Sequence, residues 1–124
     1  MAKLPEDPFE KGGIVGFAKD LRAGRTSSEA ATLACLERID ALDGKIGAFQ
    51  HVAAESALRT AQAMDGLLRA GTDLGPLMGV PMAVKDIYAV EGMPTTNGSL
   101  IESADITGPE GSYVKSLKRG GAVV

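Results

Sequence analysis

The stretch Gly75-Pro76-Leu77-Met78-Gly79-Val80-Pro81-Met82-Ala83-Val84-Lys85-Asp86 decides how this chain is read. Its glycines and prolines exclude regular structure as far as Pro81. Met82-Ala83-Val84 then present apolar side chains to both faces, the pattern of a strand enclosed by helices on either side. A strand is expected over residues 82–88, with Lys85 near its carboxyl end. In open α/β sheets that end faces the ligand crevice. An ammonium is costly to enclose in apolar surroundings, so a lysine in such a place readily gives up its proton and serves as a base. The competing reading is an ion pair of Lys85 with Asp86 or another carboxylate, and opposite charges are common neighbours at strand ends. Pattern alone leaves the ion pair slightly ahead.

On the amino-terminal side, residues 1–10 form a loose lead-in with two prolines. Ile14, Val15, Phe17, Ala18 and Leu21 then make a short helical pattern that Gly24 ends. Thr26-Ser27-Ser28-Glu29 fits a capping box, in which hydroxyl and carboxylate each take a backbone N–H of the other. It predicts a helix over residues 27–42, with Ala31, Cys35, Ile39 and Leu42 on the core-facing stripe. Residues 46–52, with Phe49, His51 and Val52, are expected as a short strand. Residues 54–70 are rich in strong helix formers, with Ala57, Ala61, Met64 and Leu68 on one face and Gly71 placed to end the helix.

Beyond Lys85, residues 92–99 (Gly-Met-Pro-Thr-Thr-Asn-Gly-Ser) form an irregular, hydroxyl-rich loop able to curl around a ligand. Residues 112–119 predict a helix carrying Tyr113, Val114 and Leu117, and Ala122-Val123-Val124 a last apolar strand. Helices alternating with strands predict an α/β fold.

The 124 residues fit one small domain, with a core of Ala, Leu, Val, Ile and Met, because aromatics make up only 4%. The net charge of -3, with both signs interleaved, offers no basic stripe, so a direct nucleic-acid partner is not expected. No run approaches the ~20 apolar residues that span a bilayer, and the amino terminus lacks a signal-peptide pattern. A cytoplasmic protein with no membrane partner is expected. The single cysteine, Cys35, reads as core packing. One His and one Cys give no ligand spacing, so neither a metal nor a cofactor is expected. His51, the only histidine, reads as a strand residue rather than a base. Thr95, Thr96, Ser99 and Ser103 carry hydroxyls that ordinary turn bonding accounts for. The glycines at 12, 13 and 16 lack the preceding strand and the Gly-Lys-Ser/Thr of a phosphate loop.

Three separated segments, residues 75–86, 92–99 and 120–124, together resemble the N-terminal part of amidase signature enzymes, in order and in spacing. Ala48-Phe49 and the Ala-rich helix after them fit the same family, so the resemblance extends from about Gly12 onward. It implies a mixed sheet covered by helices, of which residues 1–124 would be an incomplete N-terminal portion. It also implies a Ser-Ser-Lys triad in which Lys85 is the lysine. There a neutral lysine acts through a bridging serine on a second serine, which attacks an amide carbonyl. Free lysine, with a pKa near ~10.4, is mostly protonated at pH 7, so such a site must favour the neutral amine.

Both serines are expected beyond Val124, and Ser99 and Ser103 do not match their positions. The chain alone is then expected to be inactive, and its exposed sheet edge to invite self-association. The implied substrate is a small amide of unspecified kind, taken by the full-length form. Two alternatives stand beside the stand-alone amidase. One is the A-type subunit of a glutamine-dependent transfer-RNA amidotransferase; the other is a noncatalytic interaction module.

Overall fold

The computed structural model describes residues 3–103 and 107–124. Four helices are present among them: α1 (Gly13–Arg22), α2 (Ser28–Ile46), α3 (Ala54–Arg69) and α4 (Ser112–Arg119). The helices fall close to the positions their apolar periodicity predicts. The strands do not.

α1 buries Phe17 and Leu21, and the Phe9 ring meets Phe17 edge-on with centroids 5.5 Å apart. Its last residue, Arg22, donates through Nε and Nη2 to the two Asp73 oxygens at 2.7 Å each and reaches the Gly75 carbonyl at 2.8 Å. This fork ties the end of α1 to the start of the glycine-proline stretch.

α2 is capped differently from the expected box. Ser27, not Thr26, accepts the Ala30 N–H at 3.0 Å. The Ser28 and Glu29 amides are taken by the Asp65 carboxylate of α3, at 2.7 and 3.0 Å. Glu29 turns outward and accepts from Gln62 at 2.7 Å. A buried carboxylate at a helix N-terminus satisfies orphan amides and complements the dipole, which a solvent-facing capping box does less well. Since Ser28 meets Asp65 and a short connector joins the opposite ends, α2 and α3 run antiparallel.

α2 also continues past Leu42 to Ile46, ending at Gly47 in the left-handed region with φ 64°. The expected strand over residues 46–52 is therefore not formed. Ile46 closes the helix, and the Ala48 and Phe49 amides bond back to the Asp43 carboxylate instead of to a neighbouring strand. α3 matches its prediction closely, with Ala61 buried and Gly71 at φ 88° taking the chain out of the helix.

The expected strand over residues 82–88 is likewise absent. Among the described residues the sheet consists of one parallel bridge, Pro81 with Val123. Around it Gly79 donates to Gly121 at 2.8 Å, Val123 to Val80 at 2.9 Å and Met82 to Val123 at 2.8 Å. Past Met82 the ladder stops among the described residues, and the chain soon turns.

This short pair lies at the centre of the core. Val80 packs with Phe17, Leu21 and Ala31, and Phe9, Leu68 and Met82 close the cluster. Gly79 sits at φ 74°, and a Cβ there would stand 3.0 Å from the Ser28 Cβ and 3.1 Å from Leu21 Cδ2. The Ser28 hydroxyl donates to the Gly79 carbonyl at 2.7 Å. Asp65, Ser28 and Gly79 thus form one buried latch joining α3, α2 and the segment that leads to Lys85.

Candidate active site

Lys85 stands at the first turn after that segment. Its carbonyl accepts the Ile87 N–H at 2.7 Å and the Tyr88 N–H at 3.1 Å, so the chain reverses directly beyond it. The side chain is exposed and lines an open hollow of about 880 Å³. Cys35 and Ile39 of α2, Phe49 and His51 of the connector, and Val123 line the same hollow.

No ion pair joins Lys85 to Asp86 among the described residues. The Asp86 carboxylate instead accepts the Thr96 N–H at 2.8 Å and the Thr96 hydroxyl. Those donors, the hydroxyl first, hold the Asp86 carboxyl below the ordinary carboxylate range. The Asp86 carbonyl takes the Asn97 N–H at 2.9 Å.

The other hydroxyls singled out in the sequence have local bonds. Ser99 Oγ accepts the Ile101 N–H at 3.1 Å, and Ser103 Oγ donates to the Thr95 carbonyl at 2.5 Å. Farther along, the Glu110 carboxylate takes the Glu91 N–H at 2.8 Å and the Lys118 ammonium at 2.5 Å, which fastens α4 to the turn before the loop. Tyr113 of α4 stacks obliquely on Tyr88, centroids 4.8 Å apart.

Cys35 is half-buried, and burial pushes its thiol above the usual range, which disfavours the thiolate. His51 is exposed at the rim of the hollow. Sequence reasoning missed Thr32, whose buried Oγ1 has no hydrogen-bond partner among the described residues and which also lines the hollow. It missed the Asp65 cap and the Asp86–Thr96 clamp as well. The only signal for the clamp was an acidic residue followed by a hydroxyl-rich loop.

Lys85 thus stands on a tight turn after a core-anchored, parallel-paired segment and lines an open hollow. The amidase family model matches residues 30–124, and this chain belongs to the amidase family. It is 42% identical over 110 residues to the A-type subunit of the glutamyl-tRNA(Gln) amidotransferase of Acidothermus cellulolyticus, a match covering 89% of this chain and 22% of that protein. The corresponding Streptomyces avermitilis protein is 43% identical over 108 residues, covering 87% and 22%. The peptide amidase of Stenotrophomonas maltophilia superposes with a TM-score of 0.87 at 30% identity, covering 96% of this chain and 25% of that one. The chain thus spans about a fifth to a quarter of the length of the relatives it matches. No helix among the described residues is long and apolar enough to cross a membrane.

Proposed function

We propose that the protein carrying this chain cleaves amides through an acyl-enzyme, with Lys85 as the base. The Lys85 amine takes a proton from a bridging serine, which takes one from the serine that attacks the amide carbonyl. The nitrogen leaves as ammonia or an amine, and water or another acceptor releases the acyl group. Both serines belong to sequence outside these 124 residues, so the chain alone is inactive. Residues 1–124 then form one incomplete portion of an amidase domain, and the Pro81–Val123 pair is the start of a mixed sheet that further strands complete. The protein works in the cytoplasm.

The observation that carries this reading is the amidase match across residues 30–124, with Lys85 standing free of Asp86 on an open hollow. A Lys85→Ala variant of the whole protein tests it. Amide hydrolysis should fall by roughly 10²–10⁴-fold, the usual contribution of a base, with the fold unchanged by circular dichroism. Activity close to normal would remove Lys85 from the mechanism.

A second reading is supported by the identities. The curated relatives at 42% and 43% are amidotransferase subunits, against 30% for the peptide amidase. In that case the amide is that of glutamine, and the ammonia passes to an acylated transfer RNA held by partner subunits. Ammonia release from glutamine that rises on adding those subunits supports this reading, whereas equal turnover of unrelated amides by the protein alone counts against it.

A further inference from the structure

Asp86 is the corner of the turn that presents Lys85, and both its carboxylate and its carbonyl are bonded. Its carboxylate holds the N–H and hydroxyl of Thr96, and its carbonyl holds the Asn97 N–H. Asn97 adopts φ 51° and Gly98 φ 68°, which bends the loop so that these three donors converge on one residue. The bonds to Thr96 link positions ten residues apart in sequence. A carboxylate within ~4–6 Å of an ammonium favours the charged form. Asp86 is the carboxylate adjacent to Lys85 in the chain, and its oxygens are directed to the neutral donors of Thr96.

We propose that Asp86 is a positioning residue for Lys85: by committing its carboxylate to Thr96 it fixes the turn that carries the lysine and withholds its charge from the lysine amine. This rests on the reading of Lys85 as the base. The other titratable groups lining the hollow are Asp7 of the lead-in, Cys35 and Arg38 of α2, His51 of the connector and Tyr88 beyond the turn. Arg38 is engaged with the Pro5 carbonyl at 2.8 Å. Substitutions at Thr96 leave all five in place, and the double variant described below assigns a change at Lys85 to Asp86.

Trace acetylation of the whole protein with acetic anhydride, read peptide by peptide by mass spectrometry across pH, follows the Lys85 amine directly. In Thr96→Val the released carboxylate is free to turn to Lys85, and the labelling midpoint should rise by about 0.5–1 pH unit. Thr96→Ser should keep the midpoint of the unaltered protein, and the double variant Thr96→Val with Asp86→Asn should restore it. kcat should fall about tenfold in Thr96→Val with little change in KM, as expected for loss of a correctly poised base. A folded Thr96→Val protein whose Lys85 midpoint does not move would overturn the proposal, even with lower activity, because a merely structural role predicts that result. Where Thr96→Val does not fold, Asp86→Glu repeats the test: its longer arm cannot hold the same donors, and an unmoved midpoint again overturns it. Hydrolysis retained by Lys85→Ala would defeat the base assignment separately, since the labelling midpoints do not depend on activity.

Discussion

Two carboxylates, Asp65 and Asp86, do similar bonding in very different surroundings. Asp65 is buried, with 7% of its surface exposed, and takes two helix amides across the α2–α3 contact. Asp86 lies at the open side of the molecule and takes an amide and a hydroxyl from the loop that follows it. The first carboxylate joins two helices inside the core, and removing it leaves the buried Ser28 amide without a partner. The second holds the turn that carries Lys85, at a place that solvent can reach. Burial thus sets how much bonds of one kind are worth to the fold.

The sharpest way to break that contrast is Lys85→Ala, which should abolish most amide cleavage by the whole protein while leaving its urea denaturation midpoint unchanged. Asp65→Ala should do the reverse to stability. It leaves the buried Ser28 amide unpaired and the Glu29 amide to solvent, and should cost about 2–3 kcal/mol in urea denaturation, with Asp65→Asn costing less because one acceptor oxygen remains. Gly79→Ala attacks the same latch through the backbone. Its φ of 74° and the 3.0 Å approach to Ser28 predict a loss of about 2 kcal/mol by the same measurement. Ser27→Ala removes an ordinary exposed cap and should cost roughly 1 kcal/mol.

The smallest effect concerns pH. Lys118, and after it the Glu91 N–H, hold the Glu110 carboxyl below its ordinary value. A carboxyl depressed on folding contributes stability that is fully present above its unfolded value, near ~4.3, and is lost as pH falls through the lower folded value. Lys118→Ala should therefore flatten the stability curve below about pH 4.3 and leave its slope near neutrality as it was.

The helices are legible in the sequence because their signals are local. The Ala-rich face of α3 and the Gly71 exit follow from residue types and a period of 3.6, which act within a few turns of the chain. For α2 the sequence predicts the helix and its start to within one residue, but neither the group that caps it nor its end at Ile46. Ser27 and Thr26 are both competent caps, and what selects the start is Asp65, 37 residues away from Ser28. The strands fail for a related reason. Residues 82–88 have the composition of a buried strand, but a strand needs a partner edge, and among the described residues the edge beside this segment ends with the bridge at Val123. The place of Lys85 at the end of a core-anchored segment is legible from the glycines, prolines and apolar residues before it. Its rivalry with the ion pair is not, because Lys85 and Asp86 are adjacent whichever way the carboxylate points.

Sequence alone determined the four helices, the glycine-proline approach to Lys85 and the likeness to the amidase family, since each is written in neighbouring residues or in motif spacing. Only the tertiary structure decided that Asp65 caps α2 and that Asp86 turns to Thr96 instead of to Lys85. Both choices depend on groups far apart in the chain being brought within hydrogen-bonding reach. Burial then decides how much each of those bonds is worth.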